Sequence, residues 1–106
     1  MPFIDVSTVT PRPTVPGFKG RFIHGEKMTA AFWEIAAGSE SPIHQHVHEQ
    51  TIVVLSGRFE LNLGGEIRVL EPGLMAFVPS NVPHGGRALD DCRMLDTFSP
   101  VREDYR

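Results

Sequence analysis

Short apolar runs, each halted by glycine or proline before it can make a helix, restrict the fold of this chain more than any other feature. Gln50 to Leu55 (QTIVVL) is rich in β-branched residues and stops at Ser56-Gly57. Phe59, Leu61 and Leu63 alternate with Arg58, Glu60 and Asn62, and after Gly64-Gly65 Ile67 and Val69 alternate with Glu66 and Arg68. A period of two is the mark of a strand with one wet face, and a Gly-Gly pair between two such runs predicts a hairpin. Met28 to Ala37, Leu74 to Val78 and Cys92 to Phe98 complete the set, punctuated by Gly38, Pro72-Gly73, Pro79, Pro83 and Gly85-Gly86. No segment carries a capped 3.6-residue period, so the expectation from residue 21 onward is an all-β sandwich or barrel.

Composition narrows the functional classes. The chain has 106 residues, which suits one domain rather than two. An apolar fraction of 41% is too high for a disordered chain. A net charge of -3 with scattered basic residues argues against a nucleic-acid partner. Cys92 is alone, which excludes an internal disulfide and a cysteine-rich zinc site. No apolar run approaches the ~20 residues of a membrane span, and Met1-Pro2-Phe3-Ile4-Asp5 lacks the layout of a secretion signal. The expectation is a cytoplasmic protein without a membrane or nucleic-acid partner. Residues 1–20 hold Pro2, Pro11, Pro13 and Pro16, and they are expected to form an extended arm ahead of a single domain over 21–106. Phe3, Ile4 and Val6 in that arm need cover, either as a loose tail or against a second subunit.

The histidines carry the chemistry. His44, His46 and His48 fall in one run (PIHQHVHEQ), and His84 follows Pro79 and Pro83 far downstream. In an extended strand residues i and i+2 share a face, so His44 and His46 can both aim inward, while Gln50 opens the next run on the parity of Ile52 and Val54. Two imidazoles buried on one face are costly without a partner. Two from one strand end, a third from a distant strand and a side-chain oxygen can close around one ion. Zinc, iron, copper and nickel all accept imidazole. His24 reads as an ordinary structural histidine.

Gly38, five intervening residues, His44-Gln45-His46, a third polar position and Gly57 resemble the first motif of the cupins, and Pro72-Gly73 through Pro79 to His84 resembles the second. The resemblance implies a jelly-roll barrel (a double-stranded β-helix) of two antiparallel sheets with a metal in its mouth. It implies His44, His46 and His84 as ligands to one divalent transition metal (Mn, Zn, Ni or Fe). Gln50 stands where the commonest pattern has Glu, as in small cupins with a His-x-His-x-His-Glu-Gln run. The neighbouring Glu49 is the rival for that place, and His48 is expected at the rim. A neutral Gln leaves the ion's charge uncompensated, which strengthens its pull on an anionic ligand.

By parity Cys92, Met94, Asp96 and Phe98 share a face, which sets Asp96 among apolar neighbours. It is either a structural carboxylate or a general acid/base whose pKa is raised by those neighbours. Arg102 is either a surface arginine or a clamp for a substrate carboxylate. The ending Asp96-Thr97-Phe98-Ser99-Pro100-Val101-Arg102-Glu103-Asp104-Tyr105 resembles that of the pectin-degradation cupins of KdgF type. That resemblance implies Asp96 as acid/base, Phe98 in the pocket wall and Arg102 on the substrate carboxylate. It implies conversion of 4,5-unsaturated uronates to linear ketones. It also implies a homodimer, since small cupins pair through sheet edges and swapped N-terminal strands. Two other classes fit the same metal motif: an iron-dependent dioxygenase, and a binding-only domain for a sugar or other small molecule.

Overall fold

Strand follows strand because the apolar residues recur every second position and the turns between them are built from residues that break the ladder. The structure is a computed structural model that describes residues 3–106; Met1 and Pro2 of the expected arm lie outside the described residues. Its strands are β1 (Arg12–Pro13), β2 (Phe18–His24), β3 (Thr29–Ile35), β4 (Glu40–His44), β5 (Glu49–Ser56), β6 (Phe59–Leu63), β7 (Glu66–Leu70), β8 (Met75–Val78), β9 (His84–Ala88) and β10 (Cys92–Ser99). Short 3-10 turns occupy Val6–Thr8 and Glu103–Tyr105. The strands form two antiparallel sheets, one ordered β1-β2-β3-β10-β5-β8 and the other β4-β9-β6-β7. Among the described residues no helix is long and apolar enough to cross a membrane.

The core lies between the sheets. Ala31, Trp33 and Ile35 of β3, Ile52 and Val54 of β5, Phe59 and Leu61 of β6, and Met94 and Phe98 of β10 are all buried. The expected β6–β7 hairpin forms with Leu63 opposite Glu66. Gly64 and Gly65 both take positive φ (58° and 94°), a two-residue turn that β-carbons would strain.

Three local expectations need correction. Strand structure begins before residue 21: β2 starts at Phe18, where Phe18, Gly20 and Phe22 already alternate within the proline-rich stretch. In β7 the register puts Arg68 opposite Leu61 and Leu70 opposite Phe59, so Ile67 and Val69 lie on the outer face and are exposed. His46 is not on a strand with His44. A register shift between Ser41 and His44 disturbs β4, which ends at His44, and His46 lies in the loop beyond.

Candidate metal centre

Backbone carbonyls two residues away orient each imidazole of the cluster. His44 Nδ1 is 2.8 Å from the Pro42 carbonyl, His46 Nδ1 is 3.0 Å from that of His48, and His84 Nδ1 is 2.9 Å from that of Val82. Each Nδ1–H donates to its carbonyl, which places the lone pair on Nε2 and fixes the ligating nitrogen. His44 and His84 are register partners across β4 and β9, and His46 swings in from the loop. One ligand atom from each of the three rings falls within 4.8 Å of the others. His84 Nε2 is buried with no hydrogen-bond partner.

Gln50, the second residue of β5, is buried and sends its Oε1 to within 3.1 Å of His46 Nε2. With the His46 proton on Nδ1, neither of these atoms carries a hydrogen for the other, and two lone pairs face each other. Two donors each ~2.1 Å from a shared cation sit about 3 Å apart. An orphaned buried nitrogen and two opposed lone pairs are what a cation at this place satisfies. Two of the imidazoles are also in the form a metal needs: burial, reinforced by Arg102 and His84, pushes His46 down to about 4, and burial pushes His84 down as well. The three histidines can therefore bind a metal ion. Glu49 is exposed at the start of β5, on the opposite parity from Gln50. His48 lies outside the cluster, where its Nε2–H donates to the Val101 carbonyl at 3.2 Å.

Asp96, in the middle of β10, faces inward opposite Ile52 on one side and Ala31 on the other. Its Oδ2 accepts two hydrogen bonds, from Gln50 Nε2 at 3.0 Å and from Trp33 Nε1 at 3.2 Å, while its Oδ1 is buried without a partner. Burial pushes the carboxyl up to about 7, against the opposing pull of those two donors and of Arg102. Asp96 lies in a cavity of about 280 Å³ with His44, Gln50, His84, Phe98 and Arg102.

Arg102 is buried, with its guanidinium 4.8 Å from the Phe98 ring centre and 4.2 Å from that of Tyr105. Its Nε and Nη2 donate to Asp104 at 2.9 and 2.7 Å, so the bidentate carboxylate partner here belongs to the chain itself. A guanidinium has five N–H groups, and Asp104 engages only Nε and Nη2.

Three contributors escaped the sequence reading. Thr29 Oγ1 accepts the Arg102 backbone N–H at 3.0 Å and donates to His24 Nδ1 at 2.9 Å, while His24 Nε2–H donates to the Tyr105 carbonyl at 3.2 Å. His24 is thus structural, as expected, but what it supports is the segment that carries Arg102. Neither Trp33 nor Asp104 was given a role from the sequence. No spacing rule in the sequence connects any of them to the cluster.

Comparison with known proteins agrees with this geometry. Residues 31–98 match the cupin domain family Cupin_2. The pectin degradation protein KdgF of Dickeya dadantii is 38% identical over 72 residues, 66% of this chain and 66%, just under two thirds, of that protein's length. The structure of KdgF from a Halomonas species superposes with a TM-score of 0.94 at 31% identity, covering 100% of this chain and 99% of that one. An RmlC-like cupin from Shewanella frigidimarina superposes at 0.93, also with 31% identity, over 98% of this chain and 95% of its own. A two-sheet barrel with three clustered histidines, and a family match across more than half the chain, make this protein a member of the cupin family.

Proposed function

We propose that this cupin converts a small anionic enol to its keto form with the help of one divalent metal, and that its substrate is a 4,5-unsaturated uronate of the kind released by pectin and alginate lyases. The observation that carries the reading is the pairing of Asp96 with Gln50: a buried carboxyl held near neutrality stands one hydrogen bond from the candidate metal centre. The likeness to two KdgF proteins supports the substrate class. In this reading His44, His46, His84 and Gln50 hold the ion (Mn, Zn, Ni or Fe), which when bound supplies Lewis acidity toward a substrate oxygen. The Nη1 side of Arg102 binds the substrate carboxylate, and Phe98 packs against the body of the sugar.

Asp96 moves the proton. Opening of the cyclic uronate supplies an enol, and the carboxyl delivers a proton from Oδ1 to the enol carbon. The C=C pair becomes the new C–H bond, an oxygen lone pair becomes the C=O π bond, and the released enol proton returns the carboxyl to its starting state. Substrate and product are isomers, so no oxidant is needed. A carboxyl near pH 7 is matched to both halves of this exchange.

The test is proton NMR of a 4,5-unsaturated galacturonate monomer mixed with protein that has been stripped by chelator and then reloaded with each metal. Faster loss of the vinylic signal with loaded protein than with stripped protein or buffer is the expected result, and it should persist without oxygen. Conversion at the buffer rate overturns the reading. A requirement for oxygen identifies a dioxygenase, and saturable binding without conversion identifies a binding-only domain.

We also propose that the protein is a homodimer joined through the outer face of the six-stranded sheet. Met75 and Phe77 of β8 and Leu55 of β5 are exposed there, with Val53 opposite Met75 in register. An exposed apolar patch of this kind on a sheet favours a second copy over water.

A further inference from the structure

Trp33 is the sole tryptophan of the chain, and neither the histidine motif nor the C-terminal ending accounts for it. It is buried in β3, opposite Met94 on one side and Gly20 on the other. Phe18, Phe22 and Tyr105 meet its ring edge-on, with centroids 6.0, 5.4 and 6.0 Å away. The glycine is required by that packing: a β-carbon at residue 20 would come within 2.9 Å of the indole and 2.6 Å of the Phe22 ring. An indole confined on these sides has one polar atom, and that atom donates to Asp96 Oδ2 at 3.2 Å.

A carboxyl turns readily about its last torsion, with two broad and nearly equivalent settings. One donor does not decide which oxygen is presented to the cavity. Two donors converging on Oδ2 do: they saturate that oxygen and leave the acid's proton on the unpartnered Oδ1. The same arrangement fixes the Gln50 amide, whose N–H is committed to Oδ2 and whose Oε1 therefore points toward His46. We infer that Trp33 is a positioning residue whose indole N–H selects Oδ1 of Asp96 as the proton-carrying oxygen and holds the Gln50 amide with its oxygen toward the histidines. The inference rests on the reading of Asp96 as the proton carrier.

Because the chain has a single tryptophan, the residue can be replaced throughout by an analogue during expression. Benzothienylalanine keeps the ring shape but exchanges N–H for sulfur, while 5-fluorotryptophan keeps the N–H. With metal-loaded protein and the unsaturated galacturonate, the fluoro protein should stay within about twofold of the parent, and the benzothienyl protein should lose kcat by about tenfold or more. KM should stay level in both. Equal kcat in the two proteins overturns the inference.

A second measurement does not depend on turnover. In 15N-labelled protein the one indole N–H resonance should shift on Asp96→Ala, with or without metal, and an unmoved resonance overturns the inference. Asp96→Asn separates the two readings. Lost turnover there beside an undiminished benzothienyl protein refutes the role of Trp33 alone, whereas retained turnover refutes the proton role of Asp96.

Discussion

Replacing Asp96 by Asn should stabilise the metal-free fold in alkaline solution and remove turnover from the metal-loaded protein. Burial raises the carboxyl from its ordinary 3.8 to about 7. The folded-state value lies above the unfolded one, so stability is fully present below pH 3.8 and is lost as pH rises through about 7. A rise from 3.8 to about 7, at ~1.4 kcal/mol for each unit, is a loss of about 4 kcal/mol. That is a large part of the ~5–15 kcal/mol holding a domain folded. Asn has nearly the same shape, can accept the Trp33 and Gln50 N–H groups through its oxygen, and does not ionise. Urea unfolding of both proteins in chelator, at pH 4 and at pH 9, isolates the effect. The advantage of the Asn variant should grow by about 4 kcal/mol between the two conditions. Chelator is essential because a cation nearby would draw the carboxyl back toward its ordinary value. Parallel stability profiles for the two proteins would refute the claim that burial of this carboxyl opposes its ionisation.

Two further variants, one single and one double, test other features. Gln50→Glu removes the N–H that Asp96 Oδ2 accepts and sets two carboxyls about 3 Å apart, where both cannot ionise together. We expect metal retention by elemental analysis with turnover at least ~10-fold lower, and undiminished turnover would show that the amide hydrogen bond is dispensable. Met75→Glu together with Phe77→Glu places charge on the outer sheet face, and sedimentation should report monomer where the parent sediments as dimer; a parent that already sediments as monomer would refute the proposed interface.

The fold was legible because alternation survives translation into strands: Phe59 and Leu61, Ile52 and Val54, and Met94 and Phe98 all point inward as their spacing requires. Alternation misled at β7, an edge strand where Ile67 and Val69 face outward while Arg68 and Leu70 take the positions opposite core residues Leu61 and Phe59. The convergence of His44, His46 and His84 was expected, but not its cause, since parity along one strand does not bring His46 inward; the loop beyond β4 does. Asp96 was readable as an inward carboxyl by the same parity. What the sequence concealed were contacts between residues distant in the chain, such as the indole of Trp33 on Asp96 and the Thr29 hydroxyl beneath Arg102. Such contacts depend on the register between β3 and β10, which no local pattern encodes. Arg102 was expected to grip an anion, and its engagement with Asp104 shows that an ending of mixed charge can satisfy itself within one turn.

The carbonyl latches on the three imidazoles bear on how the proposed ion would be acquired. Because Pro42, His48 and Val82 hold the rings through main-chain oxygens, the receptor is assembled by folding alone, and loading can follow as a separate late event. A preformed nest of nitrogens and one amide oxygen ranks first-row ions in the general order that ends with copper and zinc above manganese. Protein produced in rich medium would therefore carry whatever that ranking and the cellular supply dictate, and the occupant found after purification would report the culture conditions as much as the working ion.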